Sequence, residues 1–493
     1  MPFNSYPYFL FIIIVFLGFR LIEQRAPSAK RYFLLAASYI FYAWWRADFL
    51  ALLIGSTVIN FVLGRTITAC VARGQSGHLL VLLGVAFNLG LIALFKYAGL
   101  FARTADDLFG LTLLIPNFFL PLAISFFTFE QISYLVDTGR GQAPVYSFLD
   151  YALFVAYFPH LIAGPIIRHN DLIPQFRRDR ESWERANDLS LGLSLFSMGL
   201  AKKTLIADNL APFADLIFGA AQQGMHIGFA DAWLGTLFFG FQIYFDFSAY
   251  TDMALGSSCL LGIRLPFNFN SPYKAASIIE FWRRWHISLS TFLRDYVYFA
   301  LGGSRRGTVR RYLNVMATML IGGLWHGANW TFVVWGGLHG LYLAINHGFR
   351  DLAARKEWRL PGGWHGVAHA GGILLTFFAV TMAWVVFRAG DLAASLSVYA
   401  GLIGRGSSHL LTFSPLATTA LAALFALVWL APNSMEMTWA YRPALPPGTD
   451  TALGPAGRLA WKPVRLQAVA YGMLCIVAML ALSNLSPFIY FQF

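Results

Sequence analysis

His326 stands in Gly322-Gly323-Leu324-Trp325-His326-Gly327-Ala328-Asn329-Trp330, an imidazole among glycines and tryptophans in a run that is otherwise lipid-like. Ionisable side chains at membrane depth are costly and mark function by default. An apolar surround favours the neutral imidazole, and the neutral form is the one that accepts a proton, so the chemistry suggested is general-base catalysis. A second histidine, His286, ends the run Phe281-Trp282-Arg283-Arg284-Trp285-His286. For both, the competing explanation is a packed imidazole bonded to a backbone carbonyl or held in a tryptophan belt. His339 and His347 have weaker context, and that explanation is preferred for them.

Asp246 and Asp252 lie in Tyr244-Phe245-Asp246-Phe247-Ser248-Ala249-Tyr250-Thr251-Asp252-Met253. Buried acids must be paired or neutral, so ion pairing that supports the site is favoured over a directly catalytic carboxylate. Arg264, Arg294 and the arginines beside His286 are the candidate partners. The chain holds no G-x-S-x-G elbow, P-loop, G-x-G-x-x-G fingerprint or H-E-x-x-H pair, which leaves serine acyl-enzyme, nucleotide-hydrolysis and zinc-protease readings without support. Cys70, Cys259 and Cys475 are too far apart to suggest a metal site or redox couple, and packing explains them best.

These residues need elements to position them. Ser277-Ile278-Ile279-Glu280 has the form of a capping box, predicting a helix from Ser277 through His286 to about Leu293. On it Trp282, Trp285, His286 and Leu289 share one face, while Glu280 can pair with Arg283 or Arg284. If the segment around His326 is helical, Gly322 and Gly323 lie one turn before it and Asn329 and Trp330 one turn after, on the same side. Glycines there leave room for another helix or for a substrate chain.

The chain has 493 residues, of which 57% are hydrophobic, 17% aromatic and only 12% charged, against about 25% charged in a soluble domain. It reads as an all-α, polytopic membrane protein. Apolar runs recur from Tyr8–Ile22 to Val464–Leu485, and span length predicts roughly ten to twelve transmembrane helices, with shorter runs re-entrant or amphipathic. Three regions are expected: a membrane domain over 1–431, a Pro/Gly-rich extramembrane loop over 432–463, and a C-terminal transmembrane segment over 464–493.

The net charge of +12 sits between apolar runs, as positive-inside sorting produces, and implies no nucleic-acid partner. The same rule accounts for Arg305, Arg306, Arg310 and Arg311. The first run reads as an uncleaved helix with no soluble domain before it. Arg20, Arg25, Lys30 and Arg31 follow it, which sets the N-terminus outside and the first loop in the cytosol. Asp150–Ile167 breaks that alternation, because it leads into Arg168, Arg177, Arg178, Arg180 and Arg185 and is interrupted by Pro159 and Pro165. A re-entrant hairpin resolves the conflict.

Together the motifs resemble the membrane-bound O-acyltransferase family, and within it the alginate O-acetyltransferase type of bacterial polysaccharide acetylation. The resemblance runs through Ser38-Tyr39-Ile40-Phe41-Tyr42-Ala43-Trp44-Trp45, Pro121-Leu122-Ala123-Ile124-Ser125-Phe126 and Phe158-Pro159-His160-Leu161-Ile162-Ala163-Gly164-Pro165. It continues through Tyr244–Ser248, Glu280–Ser288 and Gly323–Gly327, ending near Trp384-Val385-Val386-Phe387-Arg388. The D-alanyl-transferring branch is similar at both histidine motifs, but the segment Pro159–Pro165 looks more like the alginate type, which argues for acetyl transfer.

The resemblance implies that His326 is catalytic and that His286 takes part in activity; Trp282, Trp285, Trp325, Asn329 and Asp246 are read from their positions as supporting the site or its passage. It implies no bound cofactor, with acetyl-coenzyme A as the acyl donor, and a multi-pass location in the bacterial inner membrane, in contact with lipid. The implied partners are a periplasmic SGNH-like acetyltransferase and the machinery of polysaccharide synthesis and export, for a polymer such as alginate or cellulose. His326 would take the hydroxyl proton, and His286, Asn329 or the indole N–H groups of Trp282 and Trp325 would steady the oxyanion. The rival readings are a transport subunit that exports polymer or acyl donor, with the histidines lining its pathway, and an acyltransferase for lipid or protein acceptors.

Overall fold

In an apolar medium a backbone must satisfy its own hydrogen bonds, and the lipid-like runs of this chain do so as helices. The computed structural model describes residues 1–111, 119–162, 164–178, 181–358, 361–411, 415–445, 456–484 and 488–489. Among them no strand forms; Pro266 and Leu445 make an isolated β-bridge.

The first half of the chain runs α1 (Tyr6–Arg25), α2 (Lys30–Ala43), α3 (Asp48–Ala72), α4 (His78–Phe109) and α5 (Ile124–Gly139). After them come α6 (Phe148–Ala156), α7 (Phe158–Leu161), α8 (His169–Arg177), α9 (Glu184–Gln222) and α10 (Phe229–Leu260). The second half holds α11 (Ile278–Arg284), α12 (Ile287–Phe292), α13 (Thr308–His326), α14 (Trp330–Arg355) and α15 (His365–Arg388). The last elements are α16 (Leu392–Leu402), α17 (Pro415–Leu430), α18 (Ser434–Thr438) and α19 (Arg465–Leu480).

Five of these, α1, α3, α4, α9 and α15, are long and apolar enough to cross a membrane among the described residues, and the bent pair α17 and α18 adds a sixth if counted as one span. Some other helices are largely interior. The 32-residue α10 is buried along nearly its whole length, and its Asp246 meets Lys203 of α9 at 2.9 Å, with Asp208 on the same ammonium at 2.8 Å. Asp252 meets Lys202 at 2.6 Å. The carboxylates are thus paired as expected, but by lysines of a π turn at Lys202–Ala207 and not by Arg264, Arg294 or the arginines beside His286.

Asp150, at the start of α6, accepts Arg31 of α2 at 2.7 Å and also Arg177 from the end of α8. The segment from α6 to α8 therefore enters the bundle and returns to the end it left, the path of a re-entrant hairpin. Within the proline-rich region, Asn433 caps α18 and Met435 is fully buried, while the indole of Trp461 bonds Ser194 at 2.9 Å. Positions 446–455, including Pro446, Pro447 and Pro455, lie outside the described residues.

Candidate functional site

α13 ends on His326, Gly327 is extended, and Asn329 caps α14 by accepting the Thr331 N–H at 3.1 Å. The helix therefore does not carry Asn329 onto the face of His326 as expected. Its amide instead caps and, through Nδ2, bonds the Gly390 carbonyl at 2.7 Å. The two helices turn back on each other so closely that a Cβ on Gly323 would overlap the Phe332 carbonyl oxygen and lie 3.2 Å from the Cα of Gly336. Gly323 thus serves helix approach, the first of its two expected uses. His326 is 4% exposed, its ring 5.0 Å from that of Trp335, 5.1 Å from Trp325 and 5.2 Å from Phe387.

His286 is reached differently. Ser277 does cap α11, accepting the Glu280 N–H at 3.2 Å, and Glu280 pairs with Arg284 at 2.7 Å. The predicted continuous helix does not form: it breaks at Trp285, and His286 adopts a left-handed conformation with φ 42 and ψ 55 before α12 begins. Such a conformation costs energy in a residue with a side chain and persists where the surroundings impose it. Here the imposing segment is extended: Asn270 N–H bonds the Arg284 carbonyl at 2.9 Å, and Asn268 holds the far side of His286. Its main-chain oxygen accepts from Ile287 N–H at 3.0 Å and its Oδ1 from Ser288 N–H at 3.1 Å.

The break aims His286 into the bundle. Its ring lies edge-on to Phe247 at 4.7 Å, 5.9 Å from the Trp325 ring and 6.5 Å from that of His326. It is fully buried, and neither ring nitrogen has a hydrogen-bond partner among the described residues. Trp282 and Trp285 are buried as well, at 9% and 1% exposure, so this is an interior segment and not a surface amphipathic helix.

Of the expected oxyanion donors, three are engaged elsewhere. The Trp282 indole bonds His339 Nδ1 at 3.2 Å, the Trp325 indole reaches the Ser125 carbonyl at 3.5 Å, and Asn329 caps as described. Trp285 stacks between Phe281 and Trp384 at 5.7 and 5.0 Å, a wall of the site, and Asp246 lies with Lys203. Left over are His286 and a residue the motifs did not single out, Trp335, whose buried Nε1 has no partner among the described residues. His339 was expected to be purely a packing residue, yet its ring lies 4.7 Å from Trp335 and its Nε2 is likewise without a partner there. The 335/339 spacing, one helical turn on one face, was the available signal. Asn268, whose Nδ2 is also buried without a partner among the described residues, had none, since it acts through an extended segment. A cluster of unsatisfied buried donors and acceptors calls for a ligand or a chemical role.

Two cavities flank the histidine pair. One, of about 270 Å³, is lined by His326, Trp325, Lys96, Trp45, Pro121 and Ser125. The other, of about 410 Å³, is lined by Ile287 and Ser288, next to His286, and by Arg168, Arg294, Asp171 and Tyr296. Ser125 of the first and Ser133 of the second sit on α5 about 12 Å apart at the helical rise. Among the described residues no group of three His, Cys, Asp or Glu side chains is arranged to hold a metal.

Residues 91–385 match the model of the membrane-bound O-acyltransferase family. The chain is 40% identical to a probable alginate O-acetylase of Azotobacter vinelandii over all of both proteins. It is 39% identical to a peptidoglycan O-acetyltransferase of Helicobacter pylori, over 80% of this chain and 78% of that one. Similarity to a teichoic acid D-alanyltransferase of Streptococcus thermophilus is lower, 27% over 54% of this chain and 68% of the other, and both histidine motifs lie within the family match.

Proposed function

Because the chain belongs to the membrane-bound O-acyltransferase family, we propose that this multi-pass membrane O-acetyltransferase takes acetyl groups from cytosolic acetyl-coenzyme A and passes them across the inner membrane to an exported polysaccharide. The observation that carries the reading is the histidine pair between two cavities, each histidine or its immediate neighbours lining one of them. Charge supports this sidedness: Arg31, Arg140, Arg168 and Arg177 gather toward the end of the bundle nearest the His286 cavity, the end that the positive-inside rule favours for the cytosol. The His326 cavity, lined by Trp45 after α2 and Pro121 before α5, then faces outward.

In this reading the thioester enters from the His286 side and the acceptor hydroxyl from the His326 side. His326 takes the hydroxyl proton as the oxygen attacks the acetyl carbonyl; the new C–O bond forms, the C–S bond breaks, and the proton returns to the leaving thiolate. His286, with both ring nitrogens uncommitted among the described residues, steadies the oxyanion.

Relatives named for alginate and for peptidoglycan favour a carbohydrate acceptor over lipid or protein. A periplasmic SGNH-like partner within the polysaccharide machinery receives or relays the acetyl group. The test compares polymer acetylation, and hydrolysis of labelled acetyl-coenzyme A by purified protein, between wild type and His326→Ala at matched membrane abundance. Loss of both is expected; full acetylation by the variant would overturn the base assignment. Hydrolysis that persists unchanged in the variant would do the same.

A further inference from the structure

α4 continues past the apolar run that ends at Phe95, through a π turn at Ala93–Tyr97, and places a lysine between Phe95 and Tyr97 inside a membrane-spanning helix. A charge at that depth needs a partner. No carboxylate pairs with Lys96 among the described residues. Its ammonium donates instead to two backbone carbonyls, those of Trp325 at 2.6 Å and His326 at 3.0 Å, while the neighbouring Tyr97 hydroxyl donates to the Leu324 carbonyl.

These are three of the carbonyls that α13 leaves open where it ends, since a helix terminus has no following turn to supply N–H groups. Helix ends are ordinarily closed by the chain that follows, but Gly327 is extended and Asn329 starts the next helix. The closure comes from another helix, α4. A π turn, closed by i→i+5 bonds, fits an extra residue into one helical turn and recurs where a helix serves a site. The ammonium also opposes the negative end of the α13 dipole. Lys96 lines the same cavity as His326.

We infer that Lys96 is a positioning residue for His326: two of its N–H groups fix the end of the helix that terminates on the histidine, and so hold the imidazole at the wall of the cavity. The inference rests on the reading of His326 as the base. Through-backbone positioning acts on the reacting geometry and not on donor binding, and displacement of a catalytic group by about 1 Å costs on the order of 10²-fold in rate.

The test measures kcat and KM for hydrolysis of labelled acetyl-coenzyme A by purified, detergent-solubilised full-length Lys96→Met, Lys96→Arg, Lys96→Ala and His326→Ala proteins. Lys96→Met is expected to lower kcat about 10²-fold with KM little changed. Lys96→Arg, which still presents two donors, is expected to recover most of that loss. Lys96→Ala should regain activity with added n-propylammonium, since the side chain borders a cavity; a lysine of merely structural role gives neither the kcat-only loss nor the amine rescue. A Lys96→Met enzyme with wild-type kcat, alongside an inactive His326→Ala, overturns this inference and leaves the base reading standing. An active His326→Ala overturns the base reading and this inference with it. If Lys96→Met fails to accumulate, folded Lys96→Ala decides: no recovery at saturating amine overturns the inference.

Discussion

Two adjacent glycines should respond very differently to the same methyl group. At Gly323 a Cβ would overlap the Phe332 carbonyl oxygen and approach the Gly336 backbone, atoms that move only if α13 and α14 part. At Gly322 the only neighbour within reach among the described residues is the Leu293 Cδ1 at 3.0 Å, the end of a side chain that can rotate away. Relieving the overlap at Gly323 parts the two helices by on the order of 1 Å, and a misplacement of that size at a catalytic centre costs about 10²-fold, or roughly 2.7 kcal/mol of transition-state stabilisation. The displacement is transmitted directly, because His326 lies one turn further along α13 and Trp335, beside Gly336 on α14, packs against its ring at 5.0 Å. Overpacking costs about 1–3 kcal/mol of stability, offset in part by the roughly 1 kcal/mol that alanine gains over glycine in a helix. The protein should therefore still fold. The assay is hydrolysis of labelled acetyl-coenzyme A and acetyl content of the secreted polymer, at matched membrane abundance, for Gly323→Ala and Gly322→Ala. Gly323→Ala should lose about two orders of magnitude while Gly322→Ala stays close to wild type. Near-wild-type activity in Gly323→Ala, or equal losses in both variants, would refute the reasoning.

Four further outcomes are expected. Lys203→Met leaves Asp246 and Asp208 together in the bundle without their shared ammonium and should cost about 3–5 kcal/mol, seen as lost membrane accumulation. Asp246→Asn, in contrast, should lower the melting temperature but keep activity per folded molecule; an inactive Asp246→Asn of normal stability would make the carboxylate catalytic. Asn268→Leu removes the acceptor of the buried Ser288 N–H, so about 1–3 kcal/mol of stability should go, read from thermal melting, and turnover should fall because the His286 turn loses the side-chain part of its clamp. Turnover at the wild-type level would mean that the turn holds itself. Trp282→Phe deletes the bond to His339 Nδ1 and should cost about 0.5–1.5 kcal/mol with modest loss of activity; an inactive but stable variant would assign the indole a direct part in the reaction.

Composition and periodicity were enough to read a helical membrane protein, to single out His326 and His286 as candidates, and to place the cap at Ser277, because each depends on solvent or on neighbours a turn away. The order of the motifs carried the family. The helix expected through His286 failed because two bonds to Asn268, eighteen residues earlier and outside any helix, outweigh the local helical preference of Trp285 and His286. The partners of Asp246 and Asp252 were misassigned for the same kind of reason: Arg264 was nearer in the chain, but lysines of another helix were nearer in space. Trp335, His339 and Lys96 joined the candidate site only once α4, α13 and α14 were packed. Local chemistry determined which residues were costly to bury. Tertiary structure alone decided which distant donor met each orphaned acceptor, since a hydrogen bond depends on distance in space and is indifferent to distance along the chain.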